Sequence, residues 1–196
     1  IVSHRQRKFV VTTDSKHDLP TAPNVLDRQF EVETPDEVWV SDITYIATNQ
    51  GWLYLCVFID LYSRMVVGWS MSERMTADLV VNAFEMGVEN QGNAPIVAHS
   101  DRGSQYASDL YVTLLGNYDC IQSMSRKGNC WDNAVAESFF GALKSERIYR
   151  DHYETRIHAS MAIFEYIEIF YNKERIHSML DYLTPWEKGQ KVEKVA

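Results

Sequence analysis

Three acidic residues stand where a carboxylate needs a reason. Asp42 lies inside Val38–Ile46, a stretch of β-branched and aromatic residues that reads as a strand. Asp101 stands where the short apolar run Pro95–Ser100 ends. Glu137 is flanked by Ala134, Val135, Ala136, Phe139 and Phe140 in a segment of helical period. An acid inside an apolar strand is costly unless it is paired or bound to a metal. Carboxylates brought together repel, and the repulsion raises their pKa values unless a cation neutralises them. Magnesium suits such a site, being hard, oxygen-seeking and content with carboxylates plus phosphate oxygens. Two such ions ~4 Å apart can activate an attacking oxygen and stabilise a leaving oxygen at a phosphodiester. A lone strand Asp is ordinarily a turn or capping residue. Between Asp42 and Asp101 lie 58 residues, and between Asp101 and Glu137 lie 35.

The elements that must position these acids follow from the pattern. Val38–Ile46, Trp52–Asp60 and Met65–Trp69 read as three strands joined by the turns Asn49–Gly51 and Tyr62–Arg64, an antiparallel meander. A helix is expected over Thr76–Asn90, with Thr76 as N-cap. A fourth strand (Pro95–Ser100), a helix (Ser108–Tyr118), a fifth strand (Cys120–Met124) and a helix (Asp132–Ile148) follow. The spacing of Ile157, Met161, Phe164, Ile167 and Ile169 predicts one long amphipathic helix over Glu154–Tyr171 with those residues inward. The order β-β-β-α-β-α-β-α-α implies an α/β fold: a five-stranded mixed sheet, three antiparallel strands then parallel ones, with helices on both faces. That is the order expected of a ribonuclease-H-like fold.

The 35-residue interval resembles the Asp-Asp-(35)-Glu signature of transposases and retroviral integrases. The flanking words resemble the orfB product of the IS-three family of insertion sequences. They are Trp39-Val-Ser-Asp42-Ile-Thr-Tyr45, Asp60-Leu-Tyr-Ser-Arg64, His99-Ser-Asp101-Arg-Gly-Ser-Gln-Tyr106, Gly128-Asn-Cys-Trp-Asp-Asn-Ala-Val-Ala-Glu137-Ser-Phe-Phe140 and Tyr171-Asn172…Arg175-Ile-His177. The resemblance covers about residues 12–188. It implies a DDE-type polynucleotidyl transferase in which Asp42, Asp101 and Glu137 hold two Mg²⁺ ions, with Mn²⁺ able to substitute. It also implies cleavage at the element ends, then in-line attack by the exposed 3′-hydroxyl without a covalent enzyme intermediate. Its partners would be DNA, both element ends and target, and further copies of itself, at least a dimer on DNA.

Candidate DNA contacts lie around the same helix. Lys144 is seven residues, almost two turns, beyond Glu137 and shares its face; the family pattern gives it a grip on the element end, and a solvated lysine is the competing reading. Asn133 is one turn before Glu137, where it either orients a DNA or water oxygen or makes a helix-start hydrogen bond. Arg126 and Lys127 precede Gly128 in the loop before the helix and read as phosphate contacts or an ordinary turn. Arg102 directly follows Asp101 and reaches either a phosphate or one of the acids. His99 reads as the edge of the site or as a core histidine. Trp131 and Tyr106 can stack on a base or pack. Asp60 reads as a turn residue, and Arg175 and His177 face either DNA or a second protomer.

Composition bounds the rest. The chain has 196 residues, 45% hydrophobic, with no apolar run long enough to span a membrane. Three scattered cysteines make neither a disulfide scaffold nor a zinc module, and a cytoplasmic setting is expected. Residues 1–35 read as a linker with the basic cluster Arg5, Arg7 and Lys8, residues 36–150 as the catalytic core, and residues 151–196 as a C-terminal helix and tail packed on it. The absent initiator Met and the lack of a helix-turn-helix before residue 36 read as a piece of a longer chain. The net charge of −8 argues against a nucleic-acid partner, but unevenly. Residues 27–119 carry 4 basic and 14 acidic residues, whereas residues 120–196 carry 11 of each. Weak, salt- and metal-dependent DNA binding is expected. Two other readings remain at this stage: a silenced, domesticated DNA-binding protein, which would be expected to lose an acid, and a ribonuclease-H-like nuclease that only hydrolyses.

Overall fold

A computed structural model describes residues 19–127 and 129–190. The basic cluster at Arg5–Lys8, Gly128 and residues 191–196 lie outside the described residues.

Five strands form one sheet in the order β3-β2-β1-β4-β5. Strands β1 (Val38–Thr48), β2 (Gly51–Asp60) and β3 (Val66–Ser72) pair antiparallel. A two-residue turn joins β1 to β2, and Gly51 follows it with φ +102°, a backbone conformation natural only to glycine. The next turn is held by the Asp60 carboxylate, which accepts bonds from the Ser63 amide and hydroxyl and the Asp36 amide; Asp60 is thus a buried turn residue. Strands β4 (Val97–Ser100) and β5 (Ile121–Met124) run parallel to β1 and need crossover helices. Helices α1 (Ala77–Gln91) and α2 (Asp109–Asn117) supply them. Thr76 stands at the start of α1 without a side-chain cap bond, whereas Ser108 caps α2 by accepting from the Tyr111 amide.

The sheet separates two cores. On one face Trp39, Phe58, Leu79, Phe84 and Tyr111 pack under α1 and α2. On the other Val40, Val57, Ile59, Phe139 and Ile163 pack under α3 (Ala134–Glu146) and α4 (Arg156–Phe164). Backbones approach closely where Gly68 of β3 meets α1: a Cβ there would collide with the Ala83 carbonyl and the Gly87 backbone. The catalytic-helix segment is α-helical only over Ala134–Glu146, with 3-10 turns at Cys130–Asn133 and Ile148–Arg150.

The last long helix departs from expectation in two ways. It is α-helical to Phe164, then widens into a π-helix over Glu165–Tyr171, and a short α5 (Pro185–Gln190) ends the described chain. It also buries the opposite face. Ala159, Ala162, Ile163, Tyr166, Ile167 and Tyr171 are inward, while Ile157, Met161, Phe164 and Ile169 are exposed. Two alanines let the backbone lie close to the sheet, and the wider π turn then brings Tyr166, Ile167 and Tyr171 inward together. Of the five positions expected inward, only Ile167 is buried.

Candidate active site

The register of β1 against β4 determines where the first two acids meet. Val40 pairs with His99, the last paired positions of the two strands. Asp42 and Asp101 each stand two residues further on, so the parallel strands deliver them to the same place, and both line one cleft with Ile43, Met75, Gly103, Gln105 and Tyr106. The Asp42 carboxylate accepts from the Ile43 amide at 2.8 Å, and Asp101 accepts from the Gly103 amide at 2.9 Å. Ser41, on the opposite face of β1, bonds the Tyr106 hydroxyl at 2.7 Å and lies 3.6 Å from the Cys56 thiol. That buried group supports the strand from behind, and it makes Tyr106 a packing residue with 1% exposure.

Electrostatics couple Asp42 to the other two acids. Burial pushes the Asp42 carboxyl well above the usual carboxylate range, and repulsion from Asp101 and then Glu137 pushes it further, with the Ile43 amide and the Lys144 charge opposing. Glu137, in the first turn of α3, is exposed and raised by partial burial alone. Asp42 and Asp101 therefore form the close pair, and Glu137 stands outside it. Among the described residues no three Asp, Glu, His or Cys side chains close around one point. Paired hard oxygen donors with mutual repulsion nevertheless fit a divalent cation, which would remove the repulsion.

Lys144 shares the Glu137 face of α3 and is half-buried. Its ammonium lies 5.7 Å from the centre of the Tyr45 ring, and burial lowers its pKa against the pull of Asp42. Tyr45 in turn meets Trp52 edge to face at 4.7 Å. Asn133 is buried, and its amide donates to the Ser41 carbonyl at 3.0 Å while its own oxygen has no partner. It thus ties the start of the catalytic helix to the residue before Asp42. Arg102 donates to the Ser125 carbonyl at 2.7 Å. Lys127 is exposed. Trp131 is 69% exposed.

Arg126 is exposed but engaged by carboxylates. Its guanidinium meets both oxygens of Asp132, each at 2.9 Å, and approaches Asp27 at 3.2 Å. The Asp132 side chain is fully buried, and hydrogen bonding from Arg126 holds its carboxyl well below the usual range. Arg28 and Asn24 complete its shell at 2.7 and 3.0 Å. Sequence reasoning read Asp132 only as a helix-start acid, because its partners from the incoming segment are more than a hundred positions away and nothing local marks them. His99 is fully buried between Ser123 and Ser125, a core histidine. Arg175 clamps Glu146 with two nitrogens, and His177 meets Tyr171 edge to face at 5.0 Å.

A mixed sheet of this order, with acids on β1, just past β4 and on the helix after β5, defines the ribonuclease-H-like core of the DDE polynucleotidyl transferases. The integrase core domain family matches residues 32–130, and a second integrase core domain family matches residues 137–190. The chain is 45% identical over 193 residues to the insertion element IS600 uncharacterized 31 kDa protein of Shigella sonnei, covering 98% of this chain and 71% of that protein. It is 47% identical over 164 residues to the transposase for insertion sequence element IS904 of Lactococcus lactis, covering 83% and 65%. It is 44% identical over 180 residues to the transposase InsF for insertion sequence IS3A of Escherichia coli, covering 91% and 62%. The chain thus spans roughly two thirds of the length of these relatives. Among solved structures, it superposes on the HTLV-2 integrase catalytic core in complex with magnesium with TM-score 0.63 at 16% identity, covering 81% of this chain and 99% of that one. It also superposes on a simian T-cell lymphotropic virus intasome chain with TM-score 0.69 at 18% identity, covering 88% and 59%. The chain belongs to the integrase core domain family, as the catalytic core of an IS3-family transposase.

Proposed function

We propose that this core cuts and joins DNA at the ends of an insertion sequence, with Asp42, Asp101 and Glu137 as its metal-holding residues. The observation that carries this reading is the Asp42–Asp101 pair in one cleft, with the Glu137 charge felt at Asp42. The donor set suits two Mg²⁺ ions, or Mn²⁺ in their place, which when bound supply Lewis-acid stabilisation of the attacking and leaving oxygens. The protein's own work is then positioning and charge. Asp42 and Asp101 meet because two parallel strands end in register, and Glu137 approaches from the helix Asn133 pins to β1. Lys144 offers a cation to a phosphate on the Glu137 face, and Arg102 and Lys127 add contacts beside the cleft. Arg126 leaves this set, because its guanidinium is already held by Asp132. Asn133 leaves it too, as a tie between strand and helix.

We assign residues 1–35 to an incoming linker, 36–150 to the core and 151–196 to a packed C-terminal segment. One structural neighbour is a chain of an intasome and another is a magnesium-bound integrase core in trimeric form, which supports DNA and further copies of this chain as partners. The exposed stripe Ile157, Met161 and Phe164 is the surface that a second copy would cover. None of the described helices is long and apolar enough to cross a membrane, in keeping with action on DNA in the bacterial cytoplasm.

The test is incubation of the full-length protein with labelled element ends and Mg²⁺ or Mn²⁺, followed by separation of nicked and joined strands. Nicks at the ends and joined products are expected from wild type, and a loss of both from Asp101→Asn. Identical products from the two proteins would overturn the assignment. Nicking without joining would favour a hydrolytic nuclease.

A further inference from the structure

The incoming segment does more than lead into the core. Val25 and Leu26 amides both donate to the Ser123 hydroxyl, at 2.9 and 3.2 Å, and the Pro23 carbonyl accepts from the Met124 amide. Leu26 is buried in the core beneath α3. The chain then turns sharply, with Asp27 and Arg28 both at positive φ, 41° and 64°. Non-glycine residues avoid that region, and two in succession persist only where surrounding contacts over-determine them. Those contacts converge on one carboxylate. Asp132 accepts from Asn24, from Arg28, and from the amide and guanidinium of Arg126. Asp27 closes the ring by accepting from Arg126.

Asp132 sits in the 3-10 turn that opens the catalytic helix, five residues before Glu137. Its neighbour Asn133 fixes the same turn to the carbonyl beside Asp42. The start of α3 is therefore held from two sides, by β1 and by the incoming segment.

We propose that Asn24–Arg28 forms a strap that positions Glu137 through Asp132, so that the chain preceding the core acts on the third carboxylate by way of the ion cluster around the buried Asp132 side chain. The proposal rests on Glu137 as a metal-holding residue. Asp132 and Arg28 are positioning residues, because neither reaches the cleft. Outer partners that orient metal ligands typically carry a 10–100-fold effect on metal affinity, and the strap is expected to act at the lower end of that range.

The experiment uses the 196-residue chain with Arg28→Ala, Asp132→Asn and the double variant. Two quantities are read: amide hydrogen exchange at the start of α3, and the Mg²⁺ concentration giving half of the thermal stabilisation. Arg28 is partly exposed, so its removal leaves the core intact. Arg28→Ala is expected to raise the Mg²⁺ midpoint about tenfold and to speed exchange over residues 130–138, with exchange in β1 and β2 unchanged. In the Asp132→Asn background the same substitution should add nothing further. A lower melting temperature with an unchanged midpoint and unchanged helix-start exchange would overturn the strap's role, and so would fully additive effects. If wild type itself shows no Mg²⁺ response and Asp42→Asn changes nothing, the metal reading fails instead. The exchange result then decides the strap alone.

Discussion

Acid should withdraw the stability that a neutral His99 contributes, and the origin of that contribution is in its hydrogen bonds and burial. Ser123 accepts two backbone amides, from Val25 and Leu26, so its hydroxyl hydrogen is left to point at His99 Nδ1, 2.8 Å away. The ring's proton then sits on Nε2, facing the Ser125 hydroxyl at 3.2 Å, and that hydroxyl donates to the Ser100 carbonyl. Each donor has its acceptor only while the imidazole is neutral. Burial pushes the His99 pKa down from 6.5 to about 4, with the Asp132 backbone and charge offsetting part of it. The unfolded chain therefore binds the proton first. Stability is fully present above pH 6.5 and is lost as pH falls towards 4. The shift corresponds to about 3 kcal/mol, of which roughly 2.4 kcal/mol disappears between pH 7.0 and 4.5. For a chain of this size that is a fall of roughly 5–10 °C in melting temperature. Asp36, Asp42, Asp60 and Glu137 act the other way, since their raised pKa values favour the folded state in acid. His177, also lowered to about 4, adds to the loss, discounted for its exposure. The His99 share is isolated by comparing wild type with His99→Gln, each followed by circular dichroism at pH 7.0 and 4.5 without metal. The variant is less stable at pH 7.0, but its decline towards pH 4.5 should be shallower by about 2 kcal/mol. Parallel declines for the two proteins would refute the hydrogen-bond argument.

Two further outcomes test the site and the fold separately. Lys144→Ala should weaken binding of the full-length protein to its DNA about equally across sequences and reduce the slope of log affinity against log salt by about one, whereas Arg126→Ala should lower stability and leave that slope unchanged. Binding titrations at several salt concentrations read both. Gly68→Ala forces β3 away from α1, because its Cβ meets backbone atoms of Ala83 and Gly87 that cannot rotate aside; a loss of ~3 kcal/mol or more is expected in urea unfolding, against little change for Gly116→Ala, where nothing stands within 4 Å.

Asp42 and Asp101 stood out in the sequence because each was locally anomalous, and the parallel register of β1 and β4 is what brings them together. Once Val40 faces His99, Asp42 and Asp101 must meet. The strands were legible for the same reason, as runs of β-branched residues between turns. The α4 face was not. Large apolar residues at Ile157, Met161 and Phe164 outscored Ala159 and Ala162 in the pattern, yet small residues are what allow a helix to lie close to a sheet. The π segment then changes the angular spacing, so a 3.6-residue period turns Ile169 inward, where it is exposed, and misses Tyr166 and Tyr171, which are buried. Asp132 was illegible in principle: its partners Arg28 and Asn24 are 104 and 108 positions away, and no periodicity encodes such a contact.

The charge imbalance gains meaning when the cations are followed to their partners. Arg28 and Arg126 are bound to Asp132, Arg175 to Glu146, Arg156 to Glu73, and Arg147 to Asp151 and Glu165. Arg64 is turned inward to the Phe30 carbonyl. Of the arginines read from the sequence as possible DNA contacts, Arg126 and Arg175 are therefore engaged by carboxylates of the fold itself. The cleft itself is negative, and its leading cation, Lys144, is drawn towards Asp42. A polyanion approaching such a surface gains little from the described residues until divalent ions reverse the sign of the cleft. Under the proposed function, the core would present a metal-dependent reacting centre whose hold on DNA depends on metal-held charge. On that view the strap at Asn24–Arg28 bears on the same centre, because its contacts run through Asp132 to the start of the helix that carries Glu137.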